Sequence, residues 1–151
     1  MSDLARVETS RVDATQVVRV TGELDLSNAH AVVGAVGHGV PEHVTLLVLD
    51  LAGTTYLDSA AIASLFRLAQ RLRDHRQELR LVVPREAPTR AVVELTRLSQ
   101  VVTVDESAAD LPQASQAYAA LPPLDAVVSR RRGEGSGEGL RRDGGSVPGD
   151  R

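Results

Sequence analysis

Cysteine and lysine are both missing from this chain of 151 residues. Without cysteine there is no disulfide, no thiolate metal site and no thiol nucleophile. Without lysine there is no P-loop phosphate grip and no Schiff-base chemistry; all 17 basic residues are arginine. Aromatic residues make up 2% of the chain, as Tyr56, Phe66 and Tyr118. That is too few for the stacked rings on which single-stranded nucleic acid is held. No apolar run reaches the roughly 18 residues of a membrane span. Met1-Ser2-Asp3 does not open the basic-then-apolar order of a secretory signal. The expectation is a soluble cytoplasmic protein, not engaged with a membrane.

What is present is ordinary for a globular chain: 42% hydrophobic and 25% charged residues, in a length that suits one domain. The formal net charge is −3, unevenly spread. Met1 to Val128 carry 11 Arg against 16 Asp and Glu, whereas Ser129 to Arg151 carry 6 against 4. An acidic body does not suit nucleic acid as a partner. Pro122-Pro123 punctuates the chain, so the expected division is a folded domain over 1–122 and a Gly/Arg-rich tail over 123–151. The tail buries too little apolar surface to offset the entropy of ordering and is expected to be disordered.

Within the domain, strand and helix signals alternate. Leu4 to Glu8 and Gln16 to Thr21 read as two short strands around a turn at Asp13-Ala14-Thr15. Gly22 to Asn28 reads as a loop before a helix from about Ala29 to Val36, which Gly39-Val40-Pro41 stops. Val44 to Leu49 is almost continuously apolar, as in a strand covered on both faces. From Ser59 to Asp74, Ile62, Leu65, Phe66, Ala69 and Leu72 form one apolar stripe at helical spacing. Leu79 to Val83 and Val101 to Val104 read as strands. Thr89 to Ser99, opened by Pro88, and Leu111 to Leu121, capped by Asp110, read as helices. The order β-β-α-β-α-β-α-β-α predicts an α/β fold on a mixed, mostly parallel sheet.

The most informative segment is Thr54-Thr55-Tyr56-Leu57-Asp58-Ser59-Ala60-Ala61, which opens the strongest helix. Asp58 and Ser59 both suit a helix cap, the common role of such residues and worth about 1 kcal/mol. A serine there has a second property. A phosphate on its hydroxyl meets free backbone N–H groups and the positive end of the helix dipole.

Gly22-Glu23-Leu24-Asp25, an apolar strand, and then Tyr56-Leu57-Asp58-Ser59-Ala60 opening a helix together resemble the STAS domain of bacterial anti-sigma factor antagonists. The element order fits as well, so the resemblance runs over roughly residues 4 to 120. It implies a STAS-like fold and a non-enzymatic regulator with no cofactor. It also implies two kinds of partner: an anti-sigma factor that is itself a serine kinase, and a serine phosphatase. Ser59 then takes the place of the phosphorylated serine, Asp58 that of its helix-opening neighbour, and Asp25 that of an acidic residue near the partner face. Ala61 stands where the family has glycine, adding a methyl group at a position of the partner face where another backbone approaches. Gln100 likewise lies near the place of a family glycine. Both departures leave open whether Ser59 is phosphorylated, and Ala61 keeps a second reading open, a STAS scaffold subunit of a stress-sensing or transport-associated complex with no phospho-switch.

Other chemistries lack their residues. Asp50 ends a buried strand as the phospho-acceptor of a response-regulator receiver does, but that family needs a lysine. Gly34 to Gly39 has the wrong glycine spacing for a dinucleotide loop and follows a helix. His30, His38, His43 and His75 have no zinc-helix spacing, so no metal is expected. No Gly-x-Ser-x-Gly elbow surrounds Ser59.

Overall fold

Two strands joined by a tight turn start the chain. β1 (Ala5–Val12) pairs antiparallel with β2 (Thr15–Leu24), and the register closes at Val12 opposite Thr15. Asp13 turns the corner with a left-handed φ of 55°, a region a short polar side chain tolerates. The computed structural model describes residues 5–123. Of these, residues 5–121 pack as one unit. The expected tail, 123–151, lies outside the described residues except for Pro123.

The remaining elements follow in order: α1 (Ala29–His38), β3 (Leu46–Asp50), β4 (Thr54–Leu57), α2 (Ser59–Asp74), β5 (Glu78–Val82), α3 (Arg90–Leu95), β6 (Thr103–Asp105) and α4 (Ser115–Ala119). The sheet runs β1-β2-β3-β5-β6, with β4 also paired to β2. Among the described residues only the β1–β2 pairing is antiparallel. The expected α/β architecture on a mixed, mostly parallel sheet is therefore the one observed.

β4 is a strand that the expected order β-β-α-β-α-β-α-β-α lacks between the central strand and α2. β2 has ten residues and hosts two parallel neighbours in succession. Thr15 to Arg19 pair with β3, and Gly22 to Leu24 pair with β4 across a register shift at Gly22/Glu23. The Thr54 hydroxyl, fully buried, donates to the Val20 carbonyl at 2.7 Å and seals the gap between the two pairings.

Two expected helices are shorter than their patterns suggested. α3 stops at Leu95 because Arg97 adopts a left-handed φ of 65°, and Leu98–Gln100 continue as a 3-10 turn. Thr89 holds the cap position, so Pro88 lies just outside the helix. The last expected helix begins instead as 3-10 turns, and Asp110 does not cap it. Asp110 closes a capping box with Ser107 one turn earlier, and Leu111 breaks the helical path at φ −127° and ψ 70°.

The sheet has unequal sides. α1, α2 and α3 pack on one, where Val18, Val20, Leu47, Leu49 and Leu81 meet Val33, Leu65, Leu72 and Val93. On the other, Val17, Leu46, Val48 and Val82 are covered by Leu111, Ala114, Ala117 and Leu121 around α4. The apolar stripe of α2 faces the larger core as its spacing predicts, with Phe66 half-buried at the margin.

Candidate functional site

The β2–α1 loop and the start of α2 are fastened to each other by one carboxylate. Asp58 caps α2 from an extended backbone, its Oδ1 accepting from the Ala61 N–H at 3.0 Å. Its Oδ2 accepts from the Leu26 N–H, also at 3.0 Å, across to the other loop. The Asp58 N–H donates to the Leu24 carbonyl at the end of β2. Of the two residues suited to capping, Asp58 alone does it.

Ser59 is thereby left over. It is the first residue of the 16-residue α2 and is exposed, and its hydroxyl makes no hydrogen bond among the described residues. The N–H groups of Ser59 and Ala60, in the first turn, have no carbonyl behind them to bond. A dianion placed on Ser59 Oγ would meet these donors and the positive end of the helix.

The other loop is built on Asp25 and Asn28. Asn28 is buried: its Oδ1 accepts from the Asp25 N–H at 2.9 Å and its Nδ2 donates to the Glu23 carbonyl at 2.9 Å. That use of the side chain explains why Asn28, although at the cap position of α1, makes no side-chain cap. Asp25 Oδ1 accepts from the Ser27 hydroxyl at 2.6 Å and from the Ser27 N–H at 2.9 Å. The Ser27 hydroxyl is the main reason the Asp25 carboxyl is held below its ordinary pKa; its slight burial opposes, and the Ser27 and Asn28 N–H groups assist. Asp25 is therefore a fixed negative charge at neutral pH.

Between these fixed points the loop pushes Leu26 outward, 82% exposed. Tyr56 of β4, opposite Glu23 in the register, is 49% exposed. Asp25, Asp58 and Ser59 are thus brought around one surface, together with the apolar Leu26 and Tyr56. Sequence reasoning passed over those two as contact residues. The available signal was Leu26 itself, an apolar residue in a polar loop that belongs to neither strand nor helix period.

Ala61 is placed differently. Its side chain is fully buried in the main core, so its methyl group adds nothing to the surface. Ala61 belongs to the site only through its backbone N–H, which Asp58 holds. The four histidines stay apart. His38 Nδ1 and His75 Nδ1 bond to carbonyls one turn back, Gly34 O and Arg71 O, and each is therefore the donor there. Among the described residues no group of His, Asp and Glu is arranged to hold a metal ion. No helix of the described residues is long and apolar enough to cross a membrane.

The STAS domain family model matches residues 6–111. No curated protein matches the sequence. Among solved structures, an anti-sigma factor antagonist from Mycobacterium paratuberculosis is 25% identical, with a TM-score of 0.61 over 74% of this chain and 94% of that one. The Thermotoga maritima protein TM1081 is 21% identical, with a TM-score of 0.56 over 74% of this chain and 94% of its own. The anti-sigma factor antagonist SpoIIAA in its unphosphorylated form is 16% identical, with a TM-score of 0.53 over 85% and 97%. The last two likenesses are of fold alone.

Proposed function

Since this chain belongs to the STAS domain family, we propose that it is a bacterial anti-sigma factor antagonist acting in the cytoplasm. In its unmodified form it binds an anti-sigma factor through the surface of Asp25, Leu26, Tyr56, Asp58 and Ser59, and so releases a sigma factor. The observation that carries the reading is the division of labour at α2. Asp58 does the capping, and Ser59 presents an unbonded hydroxyl beside two exposed apolar side chains.

The bound anti-sigma factor is also the kinase. Ser59 Oγ attacks the terminal phosphorus of the nucleotide the kinase holds. The new Oγ–P bond forms as the bond to ADP breaks, and the hydroxyl proton leaves to a base on the kinase. The product adds about −1.5 to −2 charges to a surface that already holds Glu23, Asp25 and Asp58. Within a desolvated interface such a charge costs several kcal/mol, roughly a hundredfold or more in affinity. A serine phosphatase resets the switch by hydrolysis. No rearrangement of the fold is required, because Ser59 is exposed from the outset.

The scaffold reading drew its support from Ala61, and the inward turn of that methyl group removes the surface difference on which it leaned. The test is to recover the tagged chain from its host with and without Mg-ATP and to map phosphate. Ser59→Asp is expected to lose at least about tenfold in partner affinity, and Ser59→Ala to bind in both conditions. Equal binding by Ser59→Asp and wild type would sink the switch.

A further inference from the structure

Arg67 and Arg71 lie one turn apart on α2, a spacing at which like charges repel. In a net-acidic chain each could have been given a carboxylate. The ion pairs among the described residues instead engage Arg19, Arg80, Arg85 and Arg90. Arg67 donates only to the Ser64 hydroxyl, at 3.2 Å, and Arg71 has no side-chain hydrogen bond. Both line a groove of about 220 Å³ between α1 and α2, faced by His30 and His38 of α1. No acidic residue lines it.

Two glycines of α1 shape this groove. A Cβ on Gly37 would stand 3.2 Å from Leu68 Cδ1 and 3.3 Å from Arg71 Cδ, so a side chain there would push the Leu68 and Arg71 stems by a few tenths of an ångström. A Cβ on Gly34 would meet nothing within 4 Å, which leaves the groove open beside it. Position adds the last element. Arg67 lies about 12 Å along α2 from Ser59 at the helical rise of about 1.5 Å per residue. An ordinary interface of about 800 Å² per partner that covers Ser59 extends over that distance.

We propose that the α1–α2 groove docks an acidic segment of the protein partner that covers Ser59, its carboxylates meeting Arg67 and Arg71. The identity of the partner rests on the switch reading above; the ligand chemistry of the groove does not. The two surfaces then differ in kind. The Ser59 surface, acidic and apolar, decides whether the partner binds at all, and the groove holds a peptide of opposite charge beside it.

The test is a titration of the isotope-labelled full chain with acetylated hexaglutamate, followed by backbone amide shifts, with hexathymidylate as the competing polyanion. Hexaglutamate is expected to move amides of α1 and α2 around Gly34, Gly37, Ser64 and Leu68. The double variant Arg67→Gln/Arg71→Gln should weaken it about tenfold, the scale of two exposed charge pairs. Both arginines are exposed, so the double variant should keep the wild-type melting temperature; Arg71→Gln alone serves if it does not. Shifts scattered over the other arginines, or indifferent to the double variant, overturn the proposal. So does tighter binding of hexathymidylate, or groove shifts that follow protein concentration without peptide and so assign the groove to a second copy. Ser59→Asp should leave hexaglutamate binding unchanged. If that variant also keeps the partner, the switch fails while the groove stands.

Discussion

A single carboxylate sets what Ser59 can do. Asp58 satisfies one N–H in its own helix and one in a loop far away in sequence. Replacing Asp58 by Ala should therefore cost more than an average cap, about 2 kcal/mol in urea denaturation, while Asp58→Asn recovers part of it. The sequence showed that Asp58 and Ser59 were both fit to cap, but not which of them does. The choice depends on the Leu26 N–H, which only the folded chain brings to Asp58 Oδ2. Ala61 shows the converse limit. Its identity was legible as a departure from the family pattern, and the direction of its methyl group was not.

Among the elements, periodicity located α2 and the buried β3 because each has a long apolar pattern of one period. β4 escaped because four residues with Thr54 and Leu57 inside and Thr55 and Tyr56 outside carry no alternation. Its existence depends on β2 being long enough to pair twice. Thr54 makes that arrangement hold. Thr54→Val keeps the shape but removes the donor to the Val20 carbonyl in a dry site, and should cost about 1–3 kcal/mol. Thr54→Ser, which keeps the hydroxyl, should cost less in the same denaturation series. The end of α3 was illegible for another reason: Arg97 takes a left-handed φ with no glycine at the break. The break at Leu111 did carry a signal, because Pro112 follows it and a proline disfavours the helical region for the residue before it.

Across the whole molecule, the α4 side of the sheet carries a row that composition did not reveal. Glu8, Arg19, Asp50 and Asp105 lie on one cross-strand line, with Val82 between the last two. Arg80 joins it through a two-pronged bond to Asp105. Tyr118 of α4 donates to Asp50 Oδ2 at 2.6 Å and ties the smaller core shut. Burial first, and then the Asp50 charge and its hydrogen bond, raise the Tyr118 phenol well above its ordinary pKa. In the unfolded chain that phenol ionises near pH 10. The contribution is thus complete below about pH 10 and lost as pH rises beyond it, because only the unfolded chain then gives up the proton. Denaturation midpoints should fall in wild type above that pH. Tyr118→Phe should be less stable at neutral pH by about 1–3 kcal/mol and lack this alkaline slope.

The strand pairings also differ in how far the chain must travel to make them. Val12 finds Thr15 across one turn, whereas Thr15 must find Leu46, Leu46 must find Glu78 and Arg80 must find Thr103. Closing those loops is entropically costly before any contact rewards it, so the parallel strands are the slow part of assembly. The hairpin is the one piece of sheet that can form locally. Its second strand is also the longest, and it is the template on which both β3 and β4 are laid. The left-handed corner at Asp13 therefore acts on the speed with which the fold is reached, at the opposite end of β2 from Asp25 and Ser59.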